Sequence, residues 1–352
     1  MSYARAVTFR ELGFYALAGQ PESSRDLVQE VIDGEAMGFG TVFISERYNG
    51  KEAATLCGAA GSVTERIQIQ TAATNHNTRH PLVTAGFART MQSLTGGRFV
   101  LGLGRGVPLL QDAHGIPRIT TAQMEDFAGL MRRIFRGEVI AGHDGPAGAW
   151  PYLFLDRRLD EHLPLGMVAF GPDTLALAGR CFDEVVLHTY FTAETTERCV
   201  RTVKQAAEAA GRDPAAVRVW SCYATIGDHL PEHKRLMKTV GRLATYLQGY
   251  GDLLVRTNGW DPAVLARFRD DPIVKSVRGL DVTGTTEQLE HVATLIPDEW
   301  LSHAATGSPA QCVAAVRNQL ALGCDGVIMH GASPAELAPI VDEYRRTAEA
   351  SA

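Results

Sequence analysis

The sequence predicts an α/β protein, a single (β/α)8 TIM-type barrel with insertions at its C-terminal mouth. Short apolar runs rich in Val, Ile, Phe and Tyr alternate with segments of helical period, which is typical of a parallel sheet with crossover helices. We count eight such runs, the number that closes a barrel. The chain has 352 residues, a length that single barrels reach, so we assign residues 1–352 to one domain.

The predicted strands are spaced along the whole chain. They span residues 12–17, 41–45, 67–74, 98–103, 166–170, 184–188, 218–226 and 326–330. Between them, Ser23 and Ser24 predict the start of a helix that ends before Gly38, and Pro81 predicts the first turn of another. The connections at about 137–164 and 228–306 are too long for plain βα loops. We expect both to shape the mouth and to select the substrate.

Charge and composition limit the classes of partner. The net charge is −6 and no run of five like charges occurs, so we expect a small-molecule substrate rather than nucleic acid or a membrane surface. The sequence has no apolar run of 18 residues and no signal-peptide pattern at its start, which predicts a cytoplasmic protein. The six cysteines lack metal-site or redox spacing and are interpreted as buried thiols.

Residues 67–106 carry the most information about function. They contain a strand, the polar loop TNHNTRHP, a helix that begins with proline, and a second strand that ends in GLGRG. Because active sites of α/β barrels lie on the loops after strand C-termini, both polar segments are predicted to lie at the mouth.

The spacing of two motifs in this passage suggests a metal site and a dinucleotide site, but neither is expected. His76 and His80 are four residues apart, as in some zinc sites, but Pro81 places them before the helix begins, so we expect no metal. The GLGRG segment has Val107 where a dinucleotide fingerprint requires glycine. A Rossmann-type site is therefore not expected.

TNHNTRHP followed by LTGGRFVLGLGRG resembles the signature of the luciferase-like monooxygenase superfamily. Within it, the chain is similar to the coenzyme F420-dependent branch that includes methylenetetrahydromethanopterin reductase. GFGTVFISERY, VAFGPDTLALAGR, EAAGRDP and TGSPAQCVAAVRNQLALGCDGVIMH extend the resemblance over nearly the whole chain, most weakly at 228–301. The resemblance implies F420 as cofactor, with FMN as the alternative, and a homodimer. The resemblance leaves open whether a separate flavin or F420 reductase is a further partner.

The resemblance also implies positions for the cofactor. The flavin-type ring would lie against a bulge after the third strand, often with a non-proline cis peptide, at Thr71, Ala72 and Ala73. Thr74 and Asn75 would face the pyrimidine edge of the ring. A helix N-terminus after the fifth strand suits a phosphate. The remaining expected cofactor contacts are Gly104, Arg105, Gly106, Phe170, Gly171, Pro172, Thr174, His188 and Thr189.

Ordinary structural roles compete with several of these assignments. Small residues can simply end a strand, Arg105 can be a solvated side chain on a glycine turn, and His188 can be packed at a strand end.

One carboxylate is predicted to transfer the proton. Some deazaflavin enzymes carry an Asp-His pair after the second strand, where this chain has Glu46 and Arg47. Val107 replaces an acidic residue common in the sugar-phosphate dehydrogenases of the group, which argues against that substrate. Glu46 is the best catalytic candidate, because a carboxylate at a barrel mouth can be tuned by burial. A salt bridge to Arg47 is the alternative role.

The leading hypothesis is hydride transfer between the deazaflavin C5 and an unidentified small organic substrate. An FMN-dependent two-component monooxygenase of the same superfamily is one alternative. A barrel lyase or isomerase that acts on a phosphorylated metabolite, with Gly171 at the phosphate, is a second. A cofactor-binding protein without turnover is a third.

Overall fold

The computed structural model describes residues 8–18, 21, 23–48, 50–156 and 162–350. The strands in this part of the chain are β1 Phe9–Tyr15, β2 Phe39–Ile44, β3 Gln68–Thr71, β4 Phe99–Leu103, β5 Ile140–Gly145, β6 Gly148–Leu153, β7 Leu165–Val168, β8 Glu184–Val186, β9 Arg218–Gly227, β10 Ala305–Gly307 and β11 Gly326–His330.

Helices follow most of the barrel strands and fill the second long connection. They are α1 Asp26–Met37, α2 Ala53–Val63, α3 Pro81–Thr95, α4 Pro108–Ala113, α5 Thr121–Phe135, α6 Pro172–Cys181, α7 Ala193–Ala209, α8 Glu232–Leu236, α9 Arg242–Asn258, α10 Pro262–Asp270, α11 Pro272–Ser276, α12 Leu280–Thr283, α13 Thr286–Ala293, α14 Asp298–Leu301, α15 Pro309–Ala321 and α16 Pro334–Glu349. A π-helical turn, Met237–Gly241, joins α8 to α9. In the described ranges, no helix is long and apolar enough to cross a membrane.

Eight parallel strands close a (β/α)8 barrel, as predicted. Their order is β9, β11, β1, β2, β3, β4, β7 and β8, and pairing of β8 with β9 closes the ring. Strand β9 also pairs with the short β10 beyond the barrel. The interior holds a compact cluster formed by Phe43, Ala72, Val186, Trp220, Cys222 and Ile328, whereas the larger apolar core includes Leu12, Leu101 and Leu337.

The eight predicted strands all exist, with differences at their ends. The last, at 326–330, coincides with β11, whereas the third was predicted to reach residue 74 but β3 ends at Thr71. Pro81 begins α3, and Gly38 ends α1 with a φ of 94°. The cap of α1 differs from the prediction: helix α1 begins after Arg25, and no side chain caps it.

The two long connections differ in structure. The described part of 137–164 contains the antiparallel hairpin β5–β6, which the sequence did not predict. Its Asp144–Ala149 turn region is rich in Gly and Pro, and several hairpin side chains are exposed, so it lacks a buried face that would give a hydrophobic alternation. The second connection forms α8 to α14, in agreement with the predicted helical segments.

Candidate active site

A cavity of about 1470 Å³ opens at the C-terminal ends of the barrel strands. Every site residue proposed from the sequence lines it except Thr71 and Thr74. The predicted residues that do line it are Glu46, Ala72, Ala73, Asn75, Gly104, Arg105, Gly106, Phe170, Gly171, Pro172, Thr174, His188 and Thr189.

Only one of the long connections contributes side chains to this wall, as far as the structure describes them. Tyr246, Tyr250 and Arg242 of α9 line the cavity, but no described residue of 137–164 does. The second connection therefore shapes the mouth, and the hairpin lies away from it.

Thr71 and Thr74 lie behind the wall. The Thr71 hydroxyl donates to the Gly102 carbonyl oxygen at 2.8 Å and accepts from the Gly102 amide at 2.8 Å, which joins β3 to β4. The Thr74 hydroxyl donates to the Glu46 carboxylate and accepts from Arg79 at 2.8 Å. Both threonines therefore support the loops that reach the cavity.

The segment after β3 forms the bulge that the resemblance implied. The Ala72–Ala73 peptide bond is cis. The Ala72 amide donates to the Ile44 carbonyl at 2.8 Å, and the Glu46 amide donates to the Ala73 carbonyl at 3.2 Å, so the bulge is tied to the end of β2. Ala72 and Ala73, whose side chains are single methyl groups, both line the cavity.

Glycines of β4 and the loop after it allow this bulge to approach closely. A Cβ at Gly102 would lie 1.7 Å from the Thr71 carbonyl oxygen, and one at Gly104 would lie 2.7 Å from the Ala73 Cβ. These two positions therefore require glycine for steric reasons.

The loop after β4 is held by polar contacts to both sides. The Asn75 amide nitrogen donates to the Gly104 carbonyl at 2.6 Å, and Gln111 donates to the Arg105 carbonyl at 2.5 Å. The Arg105 guanidinium donates to the Thr121 hydroxyl, whereas its buried Nε has no partner among the described residues. Burial lowers the pKa of Arg105. Arg105 is thus an enclosed cation on the cavity wall with one unused donor.

The N-terminus of α6 also reaches the cavity. Gly171 is the N-cap, and no side chain caps the first backbone N–H groups. The Thr174 hydroxyl donates to the Gly171 carbonyl at 2.7 Å and accepts from the Phe170 amide at 3.3 Å, which fixes the turn. The free N–H groups of such a first turn attract anions.

His188 is a packed, neutral side chain. Its ring stacks on Phe170 with centroids 4.5 Å apart. Since Nδ1 lies 2.9 Å from the Thr189 carbonyl, Nδ1 carries the proton and Nε2 accepts from the Tyr250 hydroxyl at 2.8 Å. Burial lowers the pKa of His188 to about 4. It therefore forms a flat, uncharged part of the wall.

Glu46 has a cationic partner that the sequence did not predict. Arg79 donates to its two carboxylate oxygens through Nη1 and Nη2, each at 2.9 Å, and the Glu46 side chain is 8% exposed. Arg79 also pairs with Glu52. The alternative role of Glu46, a salt bridge, is therefore present with Arg79, a residue 33 positions away on the loop before α3.

The histidines of the polar loop have structural roles. His76 stacks on Phe127 with centroids 4.8 Å apart. The His80 ring accepts a hydrogen bond from the Leu82 amide at 3.2 Å and so caps α3. Within the described residues, no group of three or more His, Cys, Asp or Glu side chains is arranged to hold a metal ion.

Several cavity residues were missed by sequence reasoning. Tyr15 and His330 end β1 and β11, so the rule that places active sites at strand ends could have found them. Arg242, Tyr246 and Tyr250 come from α9, inside the divergent connection, where no motif marks them.

The barrel and its strand-end cavity define an enzyme of the α/β-barrel class, and comparison with known proteins gives the family. A model of the luciferase-like monooxygenase family matches residues 9–324, so the chain belongs to that family. It is 27% identical to 5,10-methylenetetrahydromethanopterin reductase of Methanolobus tindarius over 84% of this chain and 86% of that protein.

Two further similarities fall within the same group. The chain is 31% identical to the F420-dependent glucose-6-phosphate dehydrogenase of Beutenbergia cavernae, over 49% of this chain and 54% of that protein. The structure of coenzyme F420-dependent tetrahydromethanopterin reductase from Methanopyrus kandleri superposes with a TM-score of 0.80 at 18% identity, covering 96% of this chain and 99% of that one. This last likeness concerns the fold.

Proposed function

We propose that the protein is an F420-dependent oxidoreductase that transfers a hydride between the deazaflavin C5 and a small organic substrate. The observation that carries this proposal is the convergence of the β3 bulge, the β4 glycine loop and the α6 N-terminus on one cavity. The names of the relatives, among them an F420-dependent dehydrogenase at 31% identity over half the chain, support the choice of cofactor.

The cavity wall fits a flat ring with an anionic tail. The side chains of Ala72 and Ala73 are single methyl groups, and a Cβ built at Gly171 would meet nothing within 4 Å, so both places leave room for a ligand. Asn75 keeps its amide oxygen available as an acceptor for a ring N–H, because its amide nitrogen is the atom bonded to Gly104. These residues would hold the ring.

The other predicted residues are assigned to the remainder of the cofactor. Gly171 and Thr174, with Phe170 and Pro172 beside them, would hold the phosphate at the start of α6. The enclosed Arg105 supplies positive charge between Gly104 and Gly106, opposite Asp173 of α6. His188 and Thr189 would form the wall against which the ring packs.

Bound F420 would supply or accept a hydride at C5, and the chain's own residues would position the substrate and move a proton. Reduction of a C=O or C=C bond adds a hydride to one atom and a proton to the other, and oxidation removes both. Glu46 is the proposed proton-transfer group, since it lines the cavity and its ion pair with Arg79 fixes its carboxylate beside the bulge. Tyr246 and Tyr250 of α9 add aromatic surface to the same cavity wall.

Titration of the purified protein with F420 and with FMN tests this proposal. We expect F420 to bind and the Ala73→Leu variant to bind it at least about tenfold more weakly, because the larger side chain would occupy the ring position. Ala209→Leu, an exposed position at the end of α7, is the matched control and should bind as the parent does. Tight binding of FMN alone would favour the FMN-dependent monooxygenase, and binding of neither would favour the lyase or isomerase.

Oligomeric state and partner proteins are also proposals. We infer a homodimer and a small-molecule substrate from the family. A separate reductase, for the flavin or for F420, is a further proposed partner, and sedimentation equilibrium of the purified chain would measure the dimer.

A further inference from the structure

A buried lysine lies on the cavity wall where the ends of β1 and β2 meet. Lys51 is 9% exposed. It lines the cavity of the proposed site together with Ala16 and Leu17, and it also lines a smaller adjoining cavity of about 410 Å³. Burying an ammonium group is costly unless its hydrogens are bonded. The partners of Lys51 therefore bear directly on its role.

Two of the three ammonium hydrogens of Lys51 have partners. Nζ donates to the main-chain carbonyl oxygens of Ala16 at 3.3 Å and of Leu17 at 3.2 Å. Neither partner is a carboxylate, and among the described residues no contact uses the third hydrogen. Because an ammonium group has three donors, one N–H of Lys51 remains for a ligand.

The segment that holds the ammonium group is itself fixed in an unusual conformation. Leu17 has a φ of 53°, in the left-handed region that a bulky side chain adopts only where its surroundings enforce it. The Leu17 amide donates to the Glu30 carboxylate of α1 at 2.6 Å. Two successive carbonyl oxygens of this turn bind Nζ. The ammonium group is therefore preorganised on the cavity wall.

The charged groups around Lys51 come from several elements. Burial and Arg47, which follows β2, lower the pKa of Lys51 to about 8, whereas Glu30 of α1 acts to raise it. The adjoining small cavity adds Glu46, Glu52 and Arg79. The two carboxylates of this set both pair with its guanidinium. Lys51 is therefore a cation at neutral pH and becomes a neutral amine above about pH 8.

We propose that Lys51 binds the oxygen atom of the substrate's reacting carbonyl or hydroxyl group. The inference rests on the proposed function and deepens it, since it names the substrate as a compound whose reacting carbon bears an oxygen. When a hydride adds to a carbonyl carbon, an electron pair of the C=O bond moves to the oxygen. The unused N–H of Lys51 stabilises that negative charge. The proton that completes the alcohol moves through Glu46, the proton-transfer group proposed above, and oxidation reverses both steps.

4-Nitrophenol serves as the probe in calorimetric titrations of the full chain, with and without F420, because its phenolate oxygen resembles the oxygen that gains charge. 4-Nitroanisole, in which a methyl group blocks that oxygen, is the matched neutral compound. At pH 7.5 the parent should bind 4-nitrophenol at least about tenfold more tightly than 4-nitroanisole, the ratio that one hydrogen bond to a charged group provides. Lys51→Met should remove this preference and leave the affinities for 4-nitroanisole and F420 unchanged.

The pH dependence distinguishes a lysine that binds a ligand from one with a structural role alone. Between pH 7.5 and pH 9.5 free 4-nitrophenol stays mainly ionised, whereas Lys51 loses its proton. The parent's preference for 4-nitrophenol should therefore fall by about tenfold or more over this range. Lys51→Arg should keep the preference at pH 9.5, because a guanidinium group retains its charge.

Lys238→Met is the matched control variant. Lys238 is 19% exposed and donates to the Gly331 carbonyl oxygen at 2.6 Å, but it does not belong to the described residues that line the cavity. This variant should keep both the preference of the parent for 4-nitrophenol and its dependence on pH.

Chemical labelling of the parent decides the matter if a Lys51 variant does not fold, which thermal unfolding shows. The chain has five lysines, so mass spectrometry of its peptides assigns each site of acetylation by acetic anhydride. Acetylation of Lys51 should rise with a midpoint near pH 8, and bound 4-nitrophenol should slow it. Lys275, whose side chain is 58% exposed, is the reference and should be acetylated equally with and without 4-nitrophenol.

The outcomes separate this inference from the proposed function. Equal binding of the two compounds by the parent, a preference that survives Lys51→Met, or a preference that does not change with pH overturns the role of Lys51. If F420 binds in that case, the proposed function stands. If the preference depends on Lys51 and its charge but F420 does not bind, the oxygen site stands and the cofactor proposal fails.

Discussion

The histidines around the cavity are neutral, which decides where its positive charge resides. Burial lowers the pKa of His188 to about 4, and burial with nearby cations lowers that of His330 to about 3. Near pH 7 each ring is therefore uncharged. The positive potential of the cavity comes from Lys51, whose pKa burial lowers only to about 8, and from arginine side chains, whose guanidinium groups keep their charge in such surroundings.

His188 should make the protein sensitive to acid. Its folded-state pKa lies below the ordinary value of 6.5. Below pH 6.5, His188 is therefore protonated in the unfolded chain but stays neutral in the folded chain. Stability is then lost as the pH falls from about 6.5 toward 4. In urea unfolding, His188→Gln should show a smaller fall of the free energy of unfolding over this range. The exposed His114→Gln is the control and should retain the parent's slope; an unchanged slope in His188→Gln contradicts the assignment.

Glu46 should contribute more to stability than its neighbour Glu52, although both contact Arg79. Glu46 is 8% exposed and receives two hydrogen bonds from Arg79, whereas Glu52 is 46% exposed. We expect Glu46→Gln to lower the free energy of unfolding by about 1–3 kcal/mol and Glu52→Gln by about 1 kcal/mol or less. Urea denaturation measures both. Because Glu52 also caps α2 by accepting from the Thr55 amide at 2.6 Å, a loss for Glu46→Gln that is no larger than that for Glu52→Gln would contradict the expected effect of burial.

At the level of elements, the site depends on how closely the ends of β3 and β4 approach. The bulge at Ala72 and Ala73 bonds to the end of β2 on one side and packs on Gly104 on the other. Asn75 then fastens the Gly104 carbonyl. Three consecutive strands thus fix one short segment, which is how a loop position acquires the rigidity that a binding surface requires.

Gly104→Ala should damage this arrangement. The added Cβ would lie 2.7 Å from that of Ala73, so the bulge must shift, at a cost of about 1–3 kcal/mol of stability. F420 affinity should fall by about tenfold or more. Gly86→Ala is the matched control, because Gly86 lies inside α3 with nothing within 4 Å of its Cβ position. That change should leave F420 affinity unaltered and stabilise by about 0.5–1 kcal/mol. Equal F420 affinities in the two variants would contradict the proposal that the bulge at Ala72 and Ala73 holds the ring.

The sequence predicted the strands better than it predicted which side chains contact each other in the folded protein. The barrel strands are detectable because each is a buried apolar run between turn residues, and the last was placed without error at 326–330. The strand β10 has three residues and, within the described ranges, pairs with the C-terminal end of β9 alone, so it leaves no periodic signal. The pairing of Glu46 with Arg79 and the approach of Arg242 to the mouth are set by tertiary packing. No local pattern encodes such contacts.

At the level of the whole molecule, closure of the barrel depends on side chains carried by the two strands that complete the ring. Trp220 is fully buried, and its indole nitrogen donates to a Glu184 carboxylate oxygen at 2.7 Å. The Arg218 guanidinium lies 4.4 Å from the Trp220 ring centroid and 3.9 Å from Glu184. Because β8 and β9 carry these residues and their pairing closes the ring, this contact stabilises the closure of the barrel.

Replacing Trp220 with Phe should therefore destabilise the protein in a manner that depends on pH. Burial raises the pKa of Glu184 above 4.5, whereas the Trp220 hydrogen bond acts to lower it. A raised carboxyl pKa means that stability is lost as the pH rises and the buried group must ionise. Without the indole donor the pKa rises further, so the loss relative to the parent should be larger at pH 7 than at pH 5. The extra loss at pH 7 should equal the difference between two hydrogen-bond contributions. A hydrogen bond to a charged group contributes about 1.5–3 kcal/mol, and one to a neutral group about 0.5–1.5 kcal/mol.

Trp300→Phe supplies the comparison that isolates this electrostatic part. Trp300 is 1% exposed and stacks on Trp260 with centroids 4.3 Å apart, so the same substitution removes buried aromatic surface there. Its cost should be nearly equal at the two pH values, because packing loss does not involve proton uptake. Urea unfolding of the parent and both variants at pH 5 and pH 7 measures the four differences. If the cost of Trp220→Phe is the same at both, the hydrogen bond to Glu184 does not stabilise the ionised carboxylate, and closure of the barrel rests on packing alone.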